Sequence, residues 1–220
     1  IDRGHWLYVQ TKDINADGAM DIVAGSRTLA CNGKSAGIVW LEAPKHARLR
    51  RDASQWTVHD IDATWQGGHG LTFADINRDS YDDIVASNSD WDTTFNHKEI
   101  AWFENPGPRT AAISRPWKKH VVATRMWDLY SKSQVGVGDF NRDGLLDLVV
   151  QTANYVYLFQ QVPGKADEWK KITILKPEIT RWLARPTKVV DLNGDGKPDI
   201  VGALIHDMGF LPAGKATVFW

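Results

Sequence analysis

Cysteine occurs once in the 220 residues, at Cys31, so no internal disulfide can form and rigidity beyond the hydrophobic core has to come from another source. A bound metal is the obvious candidate. No apolar run approaches the roughly 18 residues that cross a bilayer, which excludes a membrane-spanning helix. Residues Ile1 to Tyr8 lack the basic start and apolar stretch of a secretory signal. There is no initiator methionine at position 1, so the chain is expected to be a processed product or a piece of something longer. A basic excess is missing too, and a formal net charge of −1 gives no reason to expect a nucleic-acid partner. No segment of about 11 or more residues carries a sustained helical apolar period.

What is present is enough to fold. With 43% hydrophobic and 24% charged residues the chain can bury a normal core, which excludes disorder and collagen-like composition.

The chain repeats itself. Asp13-Ile-Asn15-Ala-Asp17-Gly18-Ala-Met-Asp21-Ile-Val returns as Asp75-Ile-Asn77-Arg-Asp79-Ser80-Tyr-Asp-Asp83-Ile-Val. It returns again as Asp139-Phe-Asn141-Arg-Asp143-Gly144-Leu-Leu-Asp147-Leu-Val and as Asp191-Leu-Asn193-Gly-Asp195-Gly196-Lys-Pro-Asp199-Ile-Val. The first aspartates are 62, 64 and 52 residues apart. Downstream of the loops come strand-like runs around Trp40, Trp102, Tyr155 to Phe159 and Ala216 to Trp220, and closing runs that begin at Trp56, Trp117 and Trp169. Each unit therefore reads as four short strands rich in Val, Ile, Trp and Phe and bounded by Gly, Pro, Asn and Asp. In the second unit these fall at approximately 69–74, 83–87, 99–104 and 117–122.

Four antiparallel strands per repeat of about 40 to 60 residues predict an all-β propeller; a β-sandwich predicts no such repetition. The chain is expected to form a single region over 1–220, with blades at approximately 1–62, 63–124, 125–176 and 177–220. The fourth blade is incomplete, because the sequence stops inside its third strand. About four blades are thus accounted for, and the ring they belong to is expected to have about seven. A compact four-bladed ring is the alternative.

Calcium is a hard ion that takes six to eight oxygens, and Asp or Asn at positions 1, 3 and 5 of a tight loop can point three of them inward. The expected ligands are Asp13, Asn15, Asp17 and Asp21; Asp75, Asn77, Asp79 and Asp83; Asp139, Asn141, Asp143 and Asp147; and Asp191, Asn193, Asp195 and Asp199. The position-7 carbonyl can add another oxygen, and glycine at position 6 permits the sharp bend. Ser80 departs from that glycine, so the second loop is expected to be strained or slightly different. An EF-hand needs Glu at position 12 and flanking helices; Ala24, Ala86, Val150 and Gly202 stand there instead. One such loop alone could be a solvated turn, but four in register point to metal. Their expected aspartate ligands, three per loop, are 12 of the 27 acidic residues and would repel one another without a cation. Four Ca²⁺ would move the formal net charge from −1 to +7.

The pattern D-x-N-x-D-G-x-x-D-[IL]-V followed by a Trp-containing strand resembles the FG-GAP/VCBS repeat family, also seen in integrin α-subunit propellers. The resemblance covers essentially the whole chain. It implies a calcium-loaded propeller that is extracellular or at the cell surface, a periplasmic place remaining open, with the metal ligands at the residues just named. It does not carry a function, because such repeats serve adhesion proteins, lectin-like modules and enzymes alike.

If each metal loop joins strands one and two, the opposite face carries loops with Trp91, His97, Arg125, Tyr130, Arg185 and His206. Aromatic, cationic and histidine side chains gathered in loops suit carbohydrate recognition. Trp40, Trp56, Trp102, Trp117 and Trp169 recur with the repeat and are assigned to blade packing, as are His59 and His120. Trp65, Trp127 and Trp182 recur loosely before each new blade and could pack between blades or meet a ligand. His5 and His69 face the expected central channel and stay open.

Two classes of function follow. One is a non-enzymatic extracellular module that binds carbohydrate or a protein partner through that face. The other is the propeller of an enzyme acting on acidic polysaccharide. A lyase would need a base such as His69 or His97, Tyr130 as acid and Arg125 or Arg185 against a uronate. No nucleophile-elbow, zincin, P-loop or dinucleotide motif is present.

Overall fold

The computed structural model describes residues 6–26, 37–65, 68–88, 98–107, 116–129, 134–152, 155–176, 188–205 and 216–219. Among these the architecture is all-β apart from two short 3₁₀ turns, at Ala47–Arg51 and Ala53–Gln55. The first sheet holds β1 (Trp6–Lys12), β2 (Asp21–Ser26), β3 (Ile38–Glu42) and β4 (Thr57–Asp62). The second holds β5 (Gly68–Ala74), β6 (Asp83–Asn88), β7 (Ile100–Glu104) and β8 (Lys118–Ala123). The third holds β9 (Val135–Gly138), β10 (Asp147–Gln151), β11 (Val156–Val162) and β12 (Lys165–Leu175). The fourth has three strands, β13 (Lys188–Val190), β14 (Asp199–Ile205) and β15 (Ala216–Phe219). All neighbours within a sheet are antiparallel and in sequence order.

The first strands of the sheets form the inner row: β1 packs on β5, β5 on β9 and β9 on β13. This is the arrangement of propeller blades, but the row does not close, since β13 does not pack against β1 as neighbouring inner strands pack on each other. A ring of seven blades is therefore not what the described residues form by themselves.

The core lies between the sheets, and period-two alternation divides it. On β6, Ile84 and Ala86 face the first sheet while Val85 faces the third. On β7, Ala101 and Phe103 face the first sheet while Ile100 and Trp102 face the third. A strand covered on both faces needs apolar residues at nearly every position, which is why β6 and β7 read as continuous runs. Each fully buried Ile, Val or Phe is worth roughly 1.5–3 kcal/mol of transfer free energy.

The assignment of recurring aromatics to packing holds for Trp40, Trp102 and Trp117, which are buried; Trp56 and Trp169 are half-buried. Trp40 stacks on His59 at 4.3 Å between ring centroids, and Trp102 on His120 at 3.8 Å. Each histidine Nε2 meets a strand-three glutamate at 2.8 Å, Glu42 for His59 and Glu104 for His120. In the third sheet the equivalent register positions are Leu158, Ile172 and Gln160, so an aliphatic pair replaces the stacked pair and the glutamate loses its charge along with its partner.

Candidate functional site

The four D-x-N-x-D loops join β1 to β2, β5 to β6, β9 to β10 and β13 to β14. They share one conformation. Position 4 has positive φ in every loop, at Ala16 (55°), Arg78 (65°), Arg142 (61°) and Gly194 (78°). Position 6 does as well, at Gly18 (86°), Ser80 (74°), Gly144 (82°) and Gly196 (76°). Ser80 thus takes the glycine conformation rather than a different loop path, at the steric cost an L-residue carries there.

The loop side chains fold back on the loop's own N–H groups. The position-6 N–H donates to the position-1 carboxylate in all four: Gly18 to Asp13 at 2.9 Å, Ser80 to Asp75 at 2.9 Å, Gly144 to Asp139 at 2.9 Å and Gly196 to Asp191 at 2.8 Å. The position-3 asparagine Oδ1 accepts from the position-5 N–H at 3.2, 3.1, 3.0 and 2.9 Å along the chain. Among the described residues no three His, Cys, Asp or Glu side chains form a group that could hold a metal ion by themselves. Two loop carboxylate oxygens are nevertheless buried with no donor, Asp17 Oδ2 and Asp139 Oδ1.

Position 9 does more than its spacing suggests. Asp21, Asp83 and Asp147 are completely buried, and one oxygen of each accepts the position-2 N–H, from Ile14 (3.1 Å), Ile76 (2.9 Å) and Phe140 (3.1 Å). The other oxygen accepts from the residue just past strand three or within its end: Ala43 at 2.8 Å, Asn105 at 2.9 Å and Gln161 at 3.2 Å. Burial pushes all three carboxyls up, Asp83 to about 7, against the lowering effect of these N–H groups.

Amide side chains then link the sheets. Asn105 Nδ2 donates to Ile14 O of the first loop at 3.1 Å, and Gln161 Nε2 to Ile76 O of the second at 3.3 Å. Lys12 pairs with Asp82, and Arg78 reaches the Gly144 carbonyl. The sequence reading missed this layer of contacts; the only signal for it was an amide at one register position of two units.

The strand order puts the segments after strands two and four on the face opposite the loops. Of the residues expected to bind a ligand there, Trp91, His97, Tyr130, Arg185 and His206 lie outside the described residues, as do His5 and Trp182. His69 falls in β5, with its side chain outside the described set. Arg125 is described: it is exposed, with φ at 53°. Trp65 is buried, 2% exposed, against Phe103, whereas Trp127 is 65% exposed, so the two do not share a role.

Behind Arg125 and Trp127 sits a buried polar network. Lys98 Nζ donates to Leu129 O at 2.6 Å and reaches Trp127 O at 3.4 Å. Asp128 Oδ2 accepts from Thr152 at 2.7 Å and from the Tyr157 hydroxyl at 3.2 Å. Burial lowers the Lys98 pKa, opposed by Asp128, and raises that of Tyr157, helped by Asp128. Along the axis, Tyr8 and Gln10, Thr72 and Phe73, Gln134 and Lys188 line a cavity of about 310 Å³ to which all four inner strands contribute. No described helix is long and apolar enough to cross a membrane.

Antiparallel sheets set side by side with a repeated acidic loop between the first two strands define a propeller-like repeat protein. Residues 139–202, from the third loop into β14, match the family model of the FG-GAP-like repeat, consistent with the loop motif. No curated protein matches the chain.

Proposed function

We propose that this chain is a calcium-stabilised propeller module that works outside the cell and binds a carbohydrate or protein partner through the face opposite its acidic loops. The observation that carries the reading is the pair of buried loop oxygens without a donor, Asp17 Oδ2 and Asp139 Oδ1, inside loops of one shared conformation. A buried carboxylate oxygen with no partner is costly, and a hard cation removes that cost. In each loop the side chains at positions 1, 3 and 5, the position-7 carbonyl and the free lone pairs of the position-9 aspartate make an oxygen set suited to Ca²⁺. Bound there, the ion would screen the carboxylates from one another and invert the upward shift that burial gives position 9.

The open inner row supports placing these blades at approximately 1–62, 63–124, 125–176 and 177–220 in a larger ring, of about seven blades. Each acidic loop would then be met by its own ion, one per blade, as in other repeat arrays whose units are stabilised locally.

The test is melting with calcium and with a chelator, alongside calorimetric titration of the chelated protein with Ca²⁺. Ligand binding to the folded state raises the melting temperature, so a large fall on chelation, reversed by calcium and not by magnesium, is expected. Equal melting curves together with no heat of binding would overturn the metal reading.

A further inference from the structure

Asp128 and Lys98 are both buried, 4% and 7% exposed, although neither belongs to an acidic loop. Burying charged groups is costly, and what these two hold is one short turn. Met126 N donates to Lys98 O at 3.0 Å, Trp127 N to Arg125 O at 2.9 Å and Leu129 N to Met126 O at 2.8 Å. Lys98 Nζ clamps the Trp127 and Leu129 carbonyls from beneath, and Asp128 is tied to Thr152 and Tyr157 of the third sheet. Met126 and Leu129 are core residues, at 4% and 0% exposure.

The two residues left outside are Arg125 and Trp127, on either side of buried Met126. Trp127 is the most exposed large hydrophobic among the described residues, and the turn does not use its ring for support. The Arg125 guanidinium has no hydrogen-bond or ion-pair partner among the described residues, and its left-handed backbone is fixed by the turn. A flat aromatic face buries the C–H surface of a sugar ring, and a guanidinium recognises a carboxylate with two parallel N–H donors. A turn held this rigidly loses little entropy when its side chains engage a ligand.

We propose that the Arg125–Trp127 turn is a binding platform for a carboxylate-bearing carbohydrate, with Trp127 stacked on a sugar ring and Arg125 paired with its carboxylate. This rests on the reading of that face as the binding face, and it names the subsite and the ligand chemistry. The cationic Arg125 selects an acidic over a neutral sugar, and the single ring of Trp127 suits one residue of a chain rather than an extended apolar partner.

The experiment is calorimetric titration of the full chain, in calcium, with an oligomer of galacturonic acid and with its methyl-esterified counterpart. The acid should bind about tenfold or more tightly than the ester, with affinity falling as salt is added. Trp127→Ala should weaken the acid by about tenfold or more. Arg125→Asn, which tolerates the left-handed backbone, should abolish the preference for acid over ester. Neither variant should change the melting temperature, because both side chains are exposed.

Equal affinity for acid and ester overturns the proposal, as does unchanged binding by Trp127→Ala while the parent binds; in that case the face still binds sugar elsewhere. Absence of binding to either oligomer overturns it too, and leaves calcium stabilisation to stand on its own melting test. A lowered melting temperature or a loss of self-association in Trp127→Ala would reassign the ring to packing or to contact with a second copy.

Discussion

Asn105, at the end of the second sheet's third strand, donates its side-chain amide to the carbonyl of Ile14, a loop residue of the first sheet 91 positions earlier, at 3.1 Å. The same amide reaches Asp82 O at 3.1 Å, and its backbone N–H holds Asp83. One buried side chain thus sets the height of one sheet against the next. Gln161 repeats the contact one sheet further on with Ile76 and Leu146. Ala43 occupies the equivalent place in the first sheet and can make only the backbone part.

Replacing Asn105 by Ala strips a buried carbonyl, Ile14 O, and a part-buried one, Asp82 O, of this donor, and a buried group left without its partner costs about 1–3 kcal/mol. Asn105→Ala should therefore lower stability by roughly 2 kcal/mol in urea unfolding, and Gln161→Ala by a similar amount. Ala43→Gly, which removes no amide, should do much less. A midpoint for Asn105→Ala equal to that of the parent would show that the contact does not couple the sheets.

The shared loop conformation makes a second expectation specific. Ser80 holds φ at 74° where the other three loops have glycine. A left-handed L-residue costs roughly 1–2 kcal/mol, while glycine loses about 0.5–1 kcal/mol more in backbone entropy. Ser80→Gly should raise stability by up to about 1 kcal/mol. Gly144→Ala should lower it by about 1–2 kcal/mol, since it puts an L-residue at φ 82°, while the Arg78 guanidinium that the new Cβ meets can move aside. Thermal melts of both variants check the sign, and a destabilised Ser80→Gly would show that the serine contributes something its backbone angle does not reveal.

The strands and loops were legible in the sequence for a physical reason: a strand covered on both faces needs unbroken apolar runs, and a tight loop needs Asp, Asn and Gly in a set order. The second unit was expected at approximately 69–74, 83–87, 99–104 and 117–122, and its strands run Gly68–Ala74, Asp83–Asn88, Ile100–Glu104 and Lys118–Ala123. Closure of the ring was not legible, because the angle between sheets depends on inter-sheet side chains and not on the period of the repeat. Position 9 was read as a ligand alone, since spacing reveals an inward carboxylate but not the N–H groups of Ala43, Asn105 and Gln161 that come to meet it from about 14 to 22 residues away. Trp65 and Trp127 looked alike in sequence and part company in three dimensions, because only the turn geometry decides which ring faces the core.

Glu104 supplies a pH dependence. Burial alone would raise its carboxyl, but hydrogen bonds from His120 and Lys118, with their charges, outweigh that and hold it below its ordinary value of 4.5. An acid with a lowered folded pKa binds fewer protons in the fold than in the unfolded chain. Its stabilisation is thus fully present above about 4.5 and is lost as the pH falls through the folded value. Glu104→Gln should lower stability at neutral pH and flatten the acid limb of a stability-against-pH curve, so that parent and variant converge at low pH. The third sheet already carries Gln160 and Ile172 at the equivalent places, so the substitution is one the fold accepts. Parallel curves for parent and variant across the acid range would remove Glu104 from the account.

Asp143 and Asp147 separate ligand from clamp within a single loop. Asp143, at position 5, is exposed and accepts from the Leu145 N–H at 2.8 Å and from the Asn141 side-chain amide at 2.9 Å. Asp147, at position 9, is fully buried and holds Phe140 N at 3.1 Å and Gln161 N at 3.2 Å. If calcium sits in the loop, Asp143→Ala removes a metal oxygen and two solvent-exposed hydrogen bonds, so its cost should be large in calcium and small, within about 1 kcal/mol, in chelator. Asp147→Ala strands two backbone N–H groups and should cost roughly 2–4 kcal/mol even in chelator, where no metal oxygen is at stake, and more in calcium. Calorimetry should show one site lost in Asp143→Ala and the others unchanged, because each loop lies in its own sheet. Should Asp143→Ala destabilise equally in calcium and in chelator, position 5 would be holding the loop together rather than the ion. A position-9 variant that recovered parental stability in chelator would instead make Asp147 a ligand first and a clamp second.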